Sequence, residues 1–211
     1  MQTIKIDKNK IQKSDLELIA KFLKQGKVLV LPTDTVYGFS CLATSKKGIE
    51  KIHQIKKSSP DKPMIVFVNS FKMLNDYTVV NKKQRECLKN LWSELASEID
   101  CKIANKEKRA VTLILGKKPR VLKYASAGQD SIAVRLPKCE INYKIIKELG
   151  LPIVSTSLNL SGKEPINDLG KISNEFLIKP DLVVDAGKLK KTKPSRLIDI
   201  RDVNNIKILR N

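Results

Sequence analysis

Short apolar runs alternate with amphipathic stretches along this chain, and together they predict a sheet flanked by helices. Apolar runs bounded by Pro, Gly or polar residues are typical of buried strands. They occur at Val28–Leu31, Met64–Val68, Val111–Leu115, Ser131–Pro137, Pro152–Val154, Leu182–Val184, Leu197–Ile200 and Ile206–Leu209. Apolar residues at helical spacing predict helices at Ser14–Gly26, after Ser45, at Asn81–Leu95, at Asn142–Leu149 and around Leu169–Leu177. A capping box is predicted at Ser14–Glu17, a cap at Ser45, and a pair of cap partners at Asn81 and Gln84. Helices alternating with strands indicate an α/β fold.

The first apolar run opens into a loop rich in hydroxyl groups. Val28–Leu31 ends at Pro32, which cannot donate to a strand ladder, and Thr33–Gly38 then supplies three hydroxyls and one carboxylate. Proteins of the α/β class place ligand sites at such strand ends. The alternative is a turn whose hydroxyls bond their own backbone. Taken alone, this loop leaves both interpretations open.

Other polar groups make the ligand-site interpretation stronger. A second strand empties into the hydroxyl- and amide-bearing loop Ser155–Ser161. Arg135 lies near the end of a strand, and because arginine is rarely buried without a partner, it should face an anion or water. Lys56 and Arg210 are isolated basic residues. Such groups suit a small zwitterion and phosphates, and they favour catalysis by positioning and charge stabilisation.

Several familiar chemistries are missing from the sequence. There is no GxxxxGK[ST], GxGxxG or HExxH motif and no carboxylate series with metal-ligand spacing. His53 is the single histidine, and its position beside an Ile stripe predicts a solvated or partly packed side chain. The cysteines are scattered, so neither zinc nor disulfides are expected: Cys41, Cys87, Cys101 and Cys139. Reduced thiols predict a cytoplasmic protein.

Length and charge narrow the class of protein. The 211 residues, 41% hydrophobic and 30% charged, predict one globular domain covering residues 1–211. No apolar run could span a bilayer, and no signal peptide is expected, so no membrane partner is predicted. The net charge of +19 would attract RNA or nucleotide phosphates. A Lys-rich composition bias explains the same charge, so both explanations stay open.

Four motifs in order carry a family resemblance. Pro32–Gly38, Lys56, Ser131–Pro137 and Ser155–Gly162 resemble the YrdC-like family of threonylcarbamoyl-AMP synthases. The resemblance implies a twisted, largely parallel open α/β sheet with flanking helices around a concave basic cavity. It also implies the single-domain form, without the second C-terminal domain of longer members.

The resemblance further implies a reaction. L-threonine, bicarbonate and ATP with Mg²⁺ would give threonylcarbamoyl-AMP and pyrophosphate, and a tRNA threonylcarbamoyltransferase complex would use the product to make N6-threonylcarbamoyladenosine at tRNA position 37. Matched motif by motif, the L-threonine contacts would be Thr35, Arg135, Ser155 and Ser195. The ATP contacts would be Lys56, Ser58, Lys62, Ser131, Ser157, Asn159 and Arg210.

This sequence departs from the family pattern at several positions. Ser58 stands where the family usually has arginine, so Lys57 or Lys62 would have to substitute. Phe67 stands where many members have histidine, and Ser97–Arg109 resembles an insertion. The chain is therefore predicted to be a divergent member.

A second class of function stays open beside the enzyme. The same fold could serve as a non-catalytic module that binds double-stranded RNA or tRNA through its basic surface. Against it, the five Phe, four Tyr and one Trp lie mostly in apolar stripes rather than interleaved with basic residues. A carbamoyl-transfer domain of a maturation system is a third, weaker interpretation.

Overall fold

The computed structural model describes residues 2–7, 11–92, 110–172, 176–190 and 192–211. The strands are β1 (Gln2–Lys5), β2 (Leu29–Leu31), β3 (Gly38–Leu42), β4 (Ile65–Phe67), β5 (Thr78–Val79), β6 (Val111–Lys117), β7 (Ser131–Arg135), β8 (Ile153–Ser157), β9 (Leu182–Asp185), β10 (Arg196–Asp199) and β11 (Lys207–Arg210). The helices are α1 (Lys13–Lys24), α2 (Lys46–Lys56), α3 (Phe71–Tyr77), α4 (Lys82–Leu91) and α5 (Glu140–Leu149).

The strands form one sheet in the order β1-β9-β2-β3-β8-β4-β7-β6-β10-β11, with β5 paired to β6. The predicted α/β class is confirmed. The sheet contains both kinds of pairing: in the described ranges four of the ten pairings are parallel and six are antiparallel. The short connections β2–β3 and β10–β11 impose antiparallel pairing, since a parallel pair needs a long crossover.

The first helix begins earlier than its sequence indicates. A capping box was predicted at Ser14–Glu17, but Ser14 already lies inside α1 and Gln12 is the N-cap, without a side-chain capping bond. The predicted box is therefore wrong. The expected stop is confirmed, because Gly26 adopts φ +71° just beyond the helix, a conformation that favours glycine.

The caps predicted for α2 and α4 are confirmed. The Ser45 hydroxyl accepts a bond of 3.0 Å from the Gly48 backbone N–H. At α4, Asn81 and Gln84 form the reciprocal capping box. Trp92 is 7% exposed and belongs to the core, as its Leu stripe predicted. Residues 93–95 of the predicted helix, like the predicted insertion at 97–109, lie outside the described residues.

Four elements were missed and one was mistaken. The pattern did not predict β1, β3, α3 or β5. Around Leu169–Leu177 the described residues hold a 3₁₀ turn at Leu169–Lys171 in place of an α-helix, and Leu177 is exposed. None of the helices in the described ranges is long and apolar enough to cross a membrane.

Candidate functional site

Several of the predicted contact residues share one face of the central sheet. Ile65 on β4 pairs with Ser155 on β8. Two residues further along β4, Phe67 pairs with Arg135 on β7. In-register neighbours share a face, and so does every second residue of a strand. The predicted contacts on this face are therefore Ser131, Arg135, Ser155 and Ser157.

The turn between β2 and β3 is closed by hydrogen bonds to one hydroxyl group. The Thr33 hydroxyl accepts the backbone N–H groups of Thr35 (3.1 Å) and Val36 (3.2 Å), and it donates to the Val36 carbonyl (2.6 Å). For Thr33, the interpretation as a turn that bonds its own backbone is correct. Asp34 lies within this turn and leaves its carboxylate for contacts outside the loop.

Arg135 is the most buried cation in this part of the sheet, at 4% exposure. Its Nη2 donates to Asp34 Oδ1 at 2.5 Å, and its Nη1 lies 3.5 Å from the Thr35 hydroxyl. The guanidinium carbon lies 5.4 Å from the centre of the Phe67 ring. Its Nε is buried and has no hydrogen-bond partner among the described residues. Arg135 therefore faces an anion, as predicted, but that anion is supplied by the protein.

Lys56 is likewise buried, and it is already bonded. Its ammonium donates to the carbonyls of Ser157 (2.5 Å) and Asn159 (2.9 Å) and to Asn159 Oδ1 (2.7 Å). Ser157 donates its own hydroxyl to the same Oδ1 at 2.7 Å. Three predicted ATP contacts thus form one cluster that ties the end of α2 to the loop after β8. Burial, and secondarily the charge of Lys62, lowers the pKa of Lys56 to about 8.

Ser58 turns back onto α2 instead of extending outward. Lys57 ends the helix with φ +51°, and the Ser58 hydroxyl lies 2.9 Å from His53 Nδ1. His53 is 7% exposed and packed, which is the packed alternative predicted from sequence. Burial lowers the pKa of His53, with smaller contributions from Lys56 and Lys62. Lys62 is exposed, and its charge acts on both groups.

The structure brings Ser195 and Arg210 together. Arg210 donates from Nε to the Ser195 carbonyl (2.9 Å) and from Nη2 to its hydroxyl (3.0 Å). The same hydroxyl lies 2.8 Å from the hydroxyl of Thr112, which is fully buried. Thr112 is the β6 partner of Arg135, so this network adjoins the Arg135 group. Sequence reasoning did not assign Thr112 to the site, since strand alternation was its only signal.

Ser131 is the predicted contact that lies apart from Arg135. It begins β7 and pairs with Gly116, whereas Arg135 ends the same strand. Four residues of strand separate the two α-carbons by about 13 Å. Ser131 therefore shares the face but cannot contact the same small group as Arg135.

A segment following β9 is anchored to the Thr33–Tyr37 loop at two points. The fully buried Tyr37 donates its hydroxyl to the Gly187 carbonyl (2.7 Å) and accepts from the Ala186 N–H (2.9 Å). Burial is the main reason why the pKa of Tyr37 is raised to about 12. Further along, the Thr192 hydroxyl donates to the Thr35 carbonyl at 2.7 Å. The basic segment that contains Lys188, Lys190 and Lys193 is thus held against this loop near both of its ends.

Gly38 is required by the close approach of β3 to β8. A Cβ at this position would lie 2.7 Å from Ser155 Oγ and 3.0 Å from the Thr156 carbonyl. Gly38→Ala is expected to lower the free energy of unfolding by about 1–3 kcal/mol, because backbone must shift. Urea unfolding measures this loss of unfolding free energy. Gly116→Ala is the matched control, since no atom lies within 4 Å of its Cβ; equal losses in both variants would contradict the steric explanation.

Comparisons with known proteins agree with the motifs. The profile of the Sua5_yciO_yrdC family, described as Telomere recombination, matches residues 21–211. A Methanocaldococcus jannaschii protein, provisionally named a threonylcarbamoyl-AMP synthase, is 34% identical over 198 residues, which cover 93% of this chain and 86% of that protein. The threonylcarbamoyl-AMP synthase of Pyrococcus abyssi is 27% identical over 196 residues, which cover 92% of this chain but 53% of that protein. The chain thus spans about half of the longer relative.

A solved structure extends the likeness to the fold. Pyrococcus abyssi Sua5 in complex with L-threonine matches with a TM-score of 0.80 at 25% identity, covering 99% of this chain and 56% of that one. The match includes the mixed sheet on which Arg135 and Ser155 lie. The family profile, the relatives and the fold agree, and this chain belongs to the Sua5/YciO/YrdC family.

Proposed function

We propose that this protein is a threonylcarbamoyl-AMP synthase that acts on L-threonine, bicarbonate and ATP. The observation that carries the proposal is the buried guanidinium of Arg135, placed beside the Thr35 hydroxyl on the face that also bears Ser155. A guanidinium suits the carboxylate of an amino acid, and neighbouring hydroxyls suit its polar side chain. Relatives that bear the synthase name, and the threonine complex of Pyrococcus abyssi Sua5, support this choice.

The reaction needs two bond-forming steps. The threonine amine forms a C–N bond to the bicarbonate carbon, with loss of water, to give a carbamate. A carbamate oxygen then bonds to the α-phosphorus of ATP as the bond from that phosphorus to the bridging oxygen breaks, which releases pyrophosphate. In this proposal Arg135 and Thr35 hold the threonine, with Ser155 and Ser195. Positioning and charge stabilisation carry the reaction without a protein nucleophile.

The phosphates would lie at the two basic groups beside the threonine position. One group is the Lys56 cluster with Lys62, and the other is Arg210 with Ser195. Lys56 is buried, so its charge would stabilise the leaving pyrophosphate more strongly than an exposed cation would, because the local dielectric constant is lower. Lys62 and Arg210 are exposed and would add weaker, more screened contributions. For Lys56 to bind a phosphate, the phosphate must replace one of its three present acceptors.

Magnesium would enter with ATP. Among the described residues, no group of three His, Cys, Asp or Glu side chains could hold a metal ion. Asp34 is an acidic side chain of the candidate site, but its carboxylate is already bonded to Arg135 and to the Lys138 N–H. Mg²⁺ prefers phosphate and water oxygens with few protein ligands, so we treat it as part of the nucleotide substrate.

The test is pyrophosphate release by the purified protein with L-threonine, bicarbonate, Mg²⁺ and ATP. We expect release that depends on threonine and bicarbonate, with formation of threonylcarbamoyl-AMP detected by mass spectrometry. Omission of threonine and its replacement by D-threonine are the controls. A folded sample that releases no threonine-dependent pyrophosphate would exclude the proposal. The product would pass in the cytoplasm to a tRNA threonylcarbamoyltransferase complex for modification of position 37.

The net charge of +19 supports a second candidate, a non-catalytic module for double-stranded RNA or tRNA. Such a protein would bind RNA with a steep salt dependence and would not bind threonine. The burial of Arg135 and Lys56 weighs against it, because an RNA backbone is read by exposed cations. Calorimetric titration with L-threonine distinguishes the two candidates.

A further inference from the structure

Asp34 joins two parts of the candidate site that are 101 residues apart in sequence. Its Oδ1 accepts from Arg135 Nη2, and its Oδ2 accepts from the Lys138 backbone N–H at 3.2 Å. We propose that Asp34 is a positioning residue that fixes the Arg135 guanidinium in the orientation that binds the carboxylate of threonine. This inference rests on the proposed function, since it concerns the same amino-acid site.

Asp34 is itself held in place from both sides. On one side, the Thr33 hydroxyl closes the turn through the backbone N–H groups of Thr35 and Val36. On the other side, the Lys138 N–H holds the second carboxylate oxygen. The carboxylate is only 11% exposed. An anchored, mostly buried carboxylate can support another side chain, whereas a mobile one would only neutralise its charge.

The contacts of Arg135 leave its guanidinium little freedom. Asp34 takes Nη2, the Thr35 hydroxyl lies beside Nη1, and the Phe67 ring packs near the guanidinium carbon. With 4% of the side chain exposed, water cannot replace a lost partner. Removal of Asp34 would therefore free the guanidinium to rotate toward other acceptors and away from Thr35.

Two other roles for Asp34 make different predictions. If Asp34 were a surrogate for the substrate carboxylate, threonine would displace it, and its removal would strengthen threonine binding. If Asp34 only stabilised the fold, its removal would leave threonine binding unchanged in the folded protein. The bond to Lys138 argues against displacement, because a departing carboxylate would break two contacts at once.

The test is Asp34→Asn, which keeps a carbonyl oxygen for the Lys138 N–H but loses the charge that holds Arg135. Calorimetry should show L-threonine binding weakened by about tenfold or more, with ATP binding changed less than about twofold. The preference for L-threonine over L-threoninol, which lacks the carboxylate, should fall by a similar factor. A merely structural residue would not alter that preference.

Asp34→Glu provides a second variant in case Asp34→Asn does not fold. It retains the charge but moves it by one methylene, so a smaller loss of the threonine preference is expected. The exposed Asp76, on α3, gives the matched control Asp76→Asn. This variant should keep the wild-type affinity for L-threonine and the wild-type preference for L-threonine over L-threoninol. Unchanged or stronger threonine binding in a folded Asp34 variant would overturn the inference. Wild-type protein that binds no threonine would instead overturn the proposed function.

Discussion

Arg135→Ala is expected to weaken L-threonine binding by about 2–5 kcal/mol, which is about 30-fold to several thousand-fold in Kd. The guanidinium is 4% exposed, so its attraction for a carboxylate is screened little by water. Its Nη1 lies 3.5 Å from the Thr35 hydroxyl, which puts the charge at the proposed threonine position. Isothermal calorimetry with L-threonine measures the loss.

The same substitution also removes the partner of Asp34, so folding and binding must be separated. A buried carboxylate left without its cation costs about 3–5 kcal/mol of folding free energy. The double variant Asp34→Asn with Arg135→Met removes both charges and should recover most of that stability in urea unfolding. It should not recover threonine binding. Wild-type threonine affinity in the folded double variant would remove Arg135 from the binding site.

The part of the site that sequence predicts is the part set by local chemistry. Pro32 ends β2 because it cannot donate to a ladder. Alternation along β7 and β8 assigns Arg135 and Ser155 each to one face of its own strand, and pairing with β4 makes it the same face. The strand end and the alternation are properties of neighbouring residues, whereas the need for glycine at position 38 depends on β8, which is distant in sequence.

The partners of the charged groups could not be predicted, because they depend on which strands become neighbours. Arg135 was expected to face an anion, but Asp34 could not be identified as that anion, because it comes close only through the sheet order. Lys56 was expected to bind a phosphate of ATP, yet its ammonium already donates to carbonyls about a hundred residues away in sequence. β3 was also missed, because Gly38 and Ser40 interrupt its apolar pattern and it is stabilised by pairing with β2 and β8.

Lys56 should make the use of ATP depend on pH. Its pKa is lowered to about 8, so we expect kcat/KM for ATP to be constant below pH 8 and to fall above it. Because kcat/KM reports groups of the free enzyme, the slope should approach about tenfold per pH unit as the ammonium loses its proton. Pyrophosphate release at saturating threonine and bicarbonate measures the profile.

Lys62→Gln is the variant that tests this assignment, because Lys62 is a cause of the lowered pKa. Its removal should move the midpoint of the alkaline limb to higher pH. Alkaline unfolding caused by Lys56 cannot explain a loss of activity above pH 8. Between about pH 8 and the ordinary lysine pKa of 10.5, the unfolded chain binds this proton more tightly than the folded protein does. Loss of the proton therefore makes the folded state more stable as pH rises. A profile that stays flat above pH 8, or a midpoint that Lys62→Gln leaves in place, would show that Lys56 does not carry the charge that binds ATP.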